Sequence, residues 1–230
     1  MTELVLPAPP TPTVAVAGAA ARFPVRRIFC VGRNYAAHAR EFGNDPDREP
    51  PFFFTKPGDA VIDDGAVIPY PPETKDLHFE GELVVAIGKA GFEIAEGDAL
   101  SHVWGYAAGN DLTRRDLQNQ AKDMRRPWDF AKGFDRSALC GPLAPAAEMG
   151  RPSGFIRLSV NGEVKQEAQL ADMIWDVAGV IAFLSRSMEI APGDLIYTGT
   201  PAGVGALVPG DVCTTEIEGL PSATLTIAKG

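Results

Sequence analysis

Two glutamates separated by a single glycine stand in the run Asp76-Leu77-His78-Phe79-Glu80-Gly81-Glu82-Leu83-Val84-Val85-Ala86-Ile87, which otherwise reads as a strand. Side chains alternate faces along a strand, so both carboxylates project the same way, about 7 Å apart. Like charges that close on an apolar strand repel, and burying either one is costly. A divalent cation removes both problems, because hard oxygen ligands at that spacing can share one ion. The same pair also fits a solvent-facing strand edge, where paired acids stay wet. Asp111 shifts the balance. Alone, at a junction between strand and helix, it reads as a cap or turn residue. Beside Glu80 and Glu82 it supplies a third oxygen donor for an open site of the kind Mg2+ or Mn2+ prefers.

Other residues suit chemistry around such an ion. His38 and Glu41 stand three apart in Tyr35-Ala36-Ala37-His38-Ala39-Arg40-Glu41, so a helix would bring them together. A carboxylate beside an imidazole raises its basicity and fixes its tautomer, giving a general base for water; a surface pair on a polar helix fits equally. Arg115 and Gln118 fall one turn apart after Asp111, where Arg115 suits a substrate carboxylate or a solvent salt bridge. Lys56 and Lys132 are flanked by aromatic residues, as lysines that point into pockets or snorkel along apolar surface often are. The loop Thr198-Gly199-Thr200-Pro201-Ala202-Gly203-Val204-Gly205 lacks the endings of a P-loop and of a dinucleotide fingerprint. Its backbone N–H groups and hydroxyls can still hold a carboxylate. Together these groups point to metal-assisted C–C or ester hydrolysis of a small acidic substrate.

The elements that must position these groups are short. Twenty-four glycines and twenty prolines in 230 residues cut the chain into segments too brief for long helices, which favours strands. Strands are expected at 28–31, 52–56, 66–68, 77–87, 103–108, 155–160, 164–168, 195–198, 212–217 and 223–227. Asn161-Gly162 is a strong two-residue hairpin signal between two of them. Helices are expected at 36–42, after the capping-box sequence Thr113-Arg114-Arg115-Asp116, and from 172 to 188, where Ile174, Val177, Ala178, Ile181 and Leu184 form one apolar face. A polar loop at 44–51 follows the first helix.

Composition narrows the partners. A net charge of -9 without a basic stripe argues against nucleic acid and anionic membranes, although a pocket can be locally positive. Cys30, Cys140 and Cys213 are isolated, as in a reduced cytoplasmic protein. No secretory signal and no apolar stretch of ~20 residues is seen. Residues 1–21 read as an arm and 22–230 as one catalytic domain.

Five ordered motifs resemble the fumarylacetoacetate hydrolase family: Gly32-Arg33-Asn34-Tyr35 with His38; Glu80-Gly81-Glu82; Asn110 to Gln118; Ala131-Lys132; and Thr198-Gly199-Thr200-Pro201 with Gly203 and Gly205. The resemblance implies an α+β, predominantly β fold, a mixed β-sandwich roll with a few inserted helices, usually as a homodimer. It implies one Mg2+ or Mn2+ on Glu80, Glu82 and Asp111, with no counterpart here to the further acidic ligand of larger members. Arg115, Gln118, Lys132 and Thr200 would grip the pyruvyl end of a keto acid, with Arg33 and Lys56 as further substrate contacts. His38 and Glu41 would form a water-activating dyad, and Lys132 would polarise the 2-keto group. The expected reaction breaks the C3–C4 bond of a β-diketo acid, with a metal-held pyruvate enolate as leaving group. Pro51 to Pro57 and Pro127 to Lys132 look most like small fumarylpyruvate hydrolases of aromatic-acid degradation. Acylpyruvase, oxaloacetate decarboxylase and oxo-hexenedioate decarboxylase or isomerase activities use the same enolate chemistry and stand as alternatives. For a second substrate carboxylate, Arg40, Arg125 and Arg126 all remain open.

Overall fold

Apolar runs bounded by glycine and proline fold as eighteen strands within residues 4–36 and 50–229, the parts of the chain that the computed structural model describes. In chain order they are β1 (Thr13–Val16), β2 (Ala19–Pro24), β3 (Arg27–Val31), β4 (Phe53–Lys56), β5 (Val61–Asp63), β6 (Ala66–Ile68), β7 (Leu77–Phe79), β8 (Gly81–Ile87) and β9 (Val103–Asp111). There follow β10 (Thr113–Arg114), β11 (Ala138–Cys140), β12 (Ala144–Pro145), β13 (Phe155–Val160), β14 (Glu163–Gln169), β15 (Asp194–Tyr197), β16 (Gly205–Leu207), β17 (Val212–Ile217) and β18 (Ala223–Ile227). All but the first residue of the expected helix at 36–42 and most of the polar loop at 44–51, with His38, Arg40 and Glu41, lie outside the described residues. No described helix is long and apolar enough to cross a membrane.

An eight-stranded mixed sheet runs β4-β3-β15-β8-β9-β11-β5, with β12 also paired to β9. Every residue of β8 is buried, because both faces of this sheet are covered. On one face Phe29, Leu83, Val85 and Ile196 pack in a core with Ile156, Leu158, Cys213 and Leu225 from a second sheet, β14-β13-β17-β18-β6. On the other face Ile28, Val84, Leu195 and Tyr197 pack with Val14 and Phe23 of the N-terminal hairpin. In β13 the alternation of half-buried and buried residues puts Ile156, Leu158 and Val160 inside, as expected for a sandwich layer. The architecture is the predominantly β one anticipated, and β2 runs through residues 21 and 22.

Local differences from the sequence expectation have local causes. The turn Asn161-Gly162 takes φ of 52° and 82° and joins β13 to β14, as a primed turn requires. The run 77–87 is two strands rather than one: β7 belongs to a small sheet with β10 and β16, β8 to the central sheet. Glu80 sits at the switch, its N–H donating to Asn110 Oδ1 and its carbonyl accepting from Asp111 N–H. The helix expected over 172–188 covers only Val177–Ser185, capped by Asp176, whose Oδ1 accepts from Gly179 N–H. Residues 174 and 175 are drawn out of it because their N–H groups donate to Asn34. The capping box at Thr113 does not form. The Thr113 hydroxyl donates to Asp111 O, and Asp116 instead accepts from Thr74 and the Lys75 N–H.

Candidate metal and substrate site

The side chains expected to act together arrive from four elements. Glu82 stands on β8 opposite Gly109 of β9, Glu80 just before β8, and Asp111 at the end of β9. Glu80, Glu82 and Asp111 are 5%, 1% and 1% exposed, and each offers an oxygen within 4.8 Å of the others. The glycine between the glutamates faces the second sheet. A Cβ on Gly81 would lie 3.0 Å from Leu158 Cδ1 and 3.3 Å from Thr215 Cγ2, so the smallest residue lets that sheet press against the ligand-bearing strand.

Three buried cations surround the three acids. Lys132, at the end of the short helix Asp129–Lys132, donates to Glu80 Oε2 at 2.6 Å and Asp111 Oδ2 at 2.8 Å. Burial alone would lower the Lys132 ammonium, but Asp111 and Glu80 outweigh it and hold its pKa above the usual lysine value. Arg115, the first residue of the helix Arg115–Asp123, pairs through Nη2 with Glu80 Oε1, while its Nη1 donates to Gln118 Oε1 at 2.6 Å. Lys56 lies 2.7 Å from Asp111 Oδ1, out of line for a hydrogen bond there, and donates to the Leu112 and Lys132 carbonyls. An ammonium has three N–H donors, and these two carbonyls engage two of those of Lys56. Burial pulls its pKa down, opposed by Asp111.

Glu82 is held differently. It accepts from the Gly199 N–H at 2.7 Å and has no lysine or arginine against it among the described residues. Burial first, then Asp111 and Glu80, push its carboxyl well above the usual range. Gly199 takes φ of 95°, and a Cβ there would meet Asn34 Cβ at 2.7 Å. Glycine is therefore required for the loop to aim its N–H at the carboxylate. A buried set of three carboxylates, one with a single N–H partner among the described residues, suits a hard divalent cation in both donor chemistry and charge.

Of the remaining expected residues, Thr200 sits next to this loop. Its hydroxyl donates to Gly81 O and accepts from Gln166 Nε2. The Arg33 guanidinium lies over the Phe52 ring at 5.3 Å. His38 and Glu41 lie outside the described residues.

Several residues that hold the site had no role assigned to them from the sequence. Gln166 of β14 is buried and bonds Gly81 N–H, Thr200 and the Pro201 carbonyl. Asn34 donates to the Trp175 and Thr198 carbonyls. His78 forms a relay behind Arg115: its Nε2 lies 2.9 Å from Asp76 Oδ1 and its Nδ1 3.4 Å from Arg115 Nε. An arginine nitrogen can only donate, so Nδ1 accepts and Nε2 carries the proton. Burial and Arg115 lower the His78 pKa, in keeping with a neutral ring. Nearby, burial, Arg115 and Arg33 bring Lys122 down to about 8.

The geometry has counterparts among known proteins. The family model described as "Fumarylacetoacetate (FAA) hydrolase C-terminal" matches residues 27–228. Fumarylpyruvate hydrolase from a Ralstonia species is 45% identical over 183 residues, covering 80% of this chain and 95% of that protein. The mitochondrial oxaloacetate decarboxylase of Dictyostelium discoideum is 41% identical over 197 residues, covering 85% of this chain and 90% of that protein. The crystal structure of fumarylpyruvate hydrolase from Pseudomonas aeruginosa, in complex with Mn2+ and pyruvate, superposes with a TM-score of 0.96 at 48% identity, covering 99% of this chain and all of that one.

Proposed function

The chain belongs to the fumarylacetoacetate hydrolase family, and on that premise we propose that it is a metal-dependent hydrolase of a β-diketo acid, with fumarylpyruvate, split into fumarate and pyruvate, as its substrate. The observation that carries this reading is the convergence of Glu80, Glu82 and Asp111, buried and within 4.8 Å, beside Lys132 and Arg115. The likeness to a fumarylpyruvate hydrolase with bound Mn2+ and pyruvate supports it. So does the 45% identity to the Ralstonia enzyme.

In this reading Glu80, Glu82 and Asp111 hold Mg2+ or Mn2+, which when bound supplies a Lewis acid to the keto-acid oxygens. Arg115 and Gln118 take the substrate carboxylate, with Arg33 and Thr200 completing that end of the site. Lys132 donates to the 2-keto oxygen. Lys56 is assigned to substrate binding only indirectly, as the counter-ion that fixes Asp111. His38, steadied by Glu41, takes a proton from water. The resulting hydroxide adds to the distal carbonyl carbon, and collapse of that adduct breaks the C3–C4 bond. The bonding pair leaves on the pyruvyl side as an enolate, whose charge Lys132 and Arg115 offset. Return of the proton to C3 completes pyruvate. The same reading takes the protein as a cytoplasmic homodimer in aromatic-acid breakdown.

The Dictyostelium relative favours a second reading, decarboxylation of oxaloacetate, which needs the same keto-acid contacts but no attacking water. Rates with Mg2+ on fumarylpyruvate, acetylpyruvate and oxaloacetate, measured side by side, separate the two. Fumarate and pyruvate should form fastest, and His38→Ala should abolish their formation. Preferential CO2 release from oxaloacetate, surviving in the His38→Ala protein, would establish the second reading instead.

A further inference from the structure

The aromatic run before Lys56 and the turn after the helix Arg115–Asp123 enclose a cavity of about 390 Å³ that opens beside Lys132. Its walls include Phe52, Phe54, Trp128 and Arg126. The Trp128 ring meets Phe52 edge-on, with centroids 5.4 Å apart and planes at 79°, and lies 5.7 Å from Phe54. Phe54 in turn faces Lys132 Nζ at 4.9 Å. Rings packed together in this way offer an aromatic wall that suits a flat, conjugated group.

Arg126 is delivered to this cavity by backbone geometry. Arg125 takes φ of 52°; its N–H donates to Lys122 O, and the Arg126 N–H donates to Ala121 O. Those two bonds and the left-handed residue form a Schellman cap, and Pro127 fixes the chain beyond it. The exposed Arg126 side chain makes no hydrogen bond, ion pair or ring contact with a described residue. The neighbouring cations Arg33 and Lys122 instead lie over Phe52 and Trp128. Asp129 is the one acid among the described residues lining the cavity, against two cations, Arg126 and Lys132.

We infer that Arg126 is a specificity-determining residue that receives a second carboxylate at the far end of the substrate, while Phe52, Phe54 and Trp128 hold a planar unsaturated acyl group between it and Lys132. The inference rests on the reading above that the keto-acid end sits at Glu80, Glu82 and Asp111. It distinguishes Arg126 from Arg125, which does not line the cavity. The preferred substrates are acylpyruvates whose acyl group is flat and ends in a carboxylate rather than a methyl.

Two measurements on the metal-loaded full chain test it. In the first, kcat/KM is determined for fumarylpyruvate and acetylpyruvate in wild type, Arg126→Met and Arg126→Lys. The ratio of the two should fall roughly tenfold to hundredfold in Arg126→Met, the range for one charge-assisted hydrogen bond. The change should reside mainly in KM, with partial recovery in Arg126→Lys. In the second, tryptophan fluorescence follows binding of fumarate and of crotonate, its monocarboxylate analogue, with pyruvate saturating. Wild type should prefer fumarate, and Arg126→Met should erase the preference. Equal binding of fumarate and crotonate by wild type, or a kinetic ratio within twofold in Arg126→Met, overturns the assignment. If wild type hydrolyses neither keto acid, the hydrolase reading falls and the fluorescence comparison alone decides the role of Arg126.

Discussion

Each polar atom of the Gln166 side chain is used within the site. Oε1 accepts from the Gly81 N–H at 3.0 Å, and Nε2 donates to Thr200 Oγ1 at 2.8 Å and to Pro201 O at 2.7 Å. Leucine has a similar volume but makes none of these bonds, so Gln166→Leu leaves the Gly81 N–H and the Pro201 carbonyl buried and unpaired. At about 1–3 kcal/mol for each such group, the variant should lose about 2–6 kcal/mol, read as the shift in urea unfolding free energy. A loss under about 1 kcal/mol would show that the bracing is replaceable. The acids and cations of the site were legible in the sequence because charged residues on apolar strands or beside aromatics need a reason to be there. Gln166 was not, because a neutral amide on a strand of exposed polar residues looks like its neighbours. Lys56 was legible as a pocket lysine but not as a counter-ion of Asp111. That distinction depends on which acceptors its N–H groups meet.

At the scale of elements, the decisive event is the change of sheets at Glu80. A single strand would place residues 80 and 82 on one face, but the break also lets Glu80 bond Asn110 and lets Gly81 face β13 and β17. Gly81→Ala would place a methyl 3.0 Å from Leu158 and 3.3 Å from Thr215. Overpacking of this kind costs about 1–3 kcal/mol, and the strand must yield away from the second sheet, carrying both glutamates with it. Metal affinity by calorimetry should therefore fall at least about tenfold, the order seen when groups supporting a ligand shell are disturbed. Wild-type affinity in a folded Gly81→Ala protein would mean the strand absorbs the methyl without moving its carboxylates. The β13–β14 hairpin was readable from Asn161-Gly162 because a two-residue turn is a local device. The helix starts at 115 and 177 were not, because Asp116 is claimed by Thr74 and Lys75, and residues 174 and 175 by Asn34. These partners are remote in sequence.

For the molecule as a whole, the central sheet brings distant chain segments to one buried set of charges. The parallel pairing of β15 with β3 and the antiparallel pairing of β8 with both β15 and β9 put the Gly199 loop, the two glutamates and Asp111 in one place. Periodicity could give the strands but not this order of neighbours, because alternation reports which face is buried and not which strand lies alongside. Among the described residues the assembled site brings together three acids, Glu80, Glu82 and Asp111, and three cations, Lys56, Lys132 and Arg115. The balance is uneven in space, since among the described residues Glu82 has a backbone N–H and no lysine or arginine in contact while repelled by Asp111 and Glu80. A divalent ion shared by the trio removes that repulsion only in the folded chain, so its binding must add to folding stability. At one hundred times the dissociation constant the gain is about 2.7 kcal/mol, which for a chain of this length raises Tm by roughly 5–10 °C. Mg2+ or Mn2+ at millimolar concentration should produce this shift over an EDTA-treated sample, and NaCl of equal ionic strength should not. Glu82→Gln keeps an acceptor for the Gly199 N–H but removes the charge, so the metal-free variant should melt higher than metal-free wild type and gain much less from added metal. A melting temperature indifferent to both ions in wild type would mean that the trio is balanced by Lys132, Lys56 and Arg115 alone.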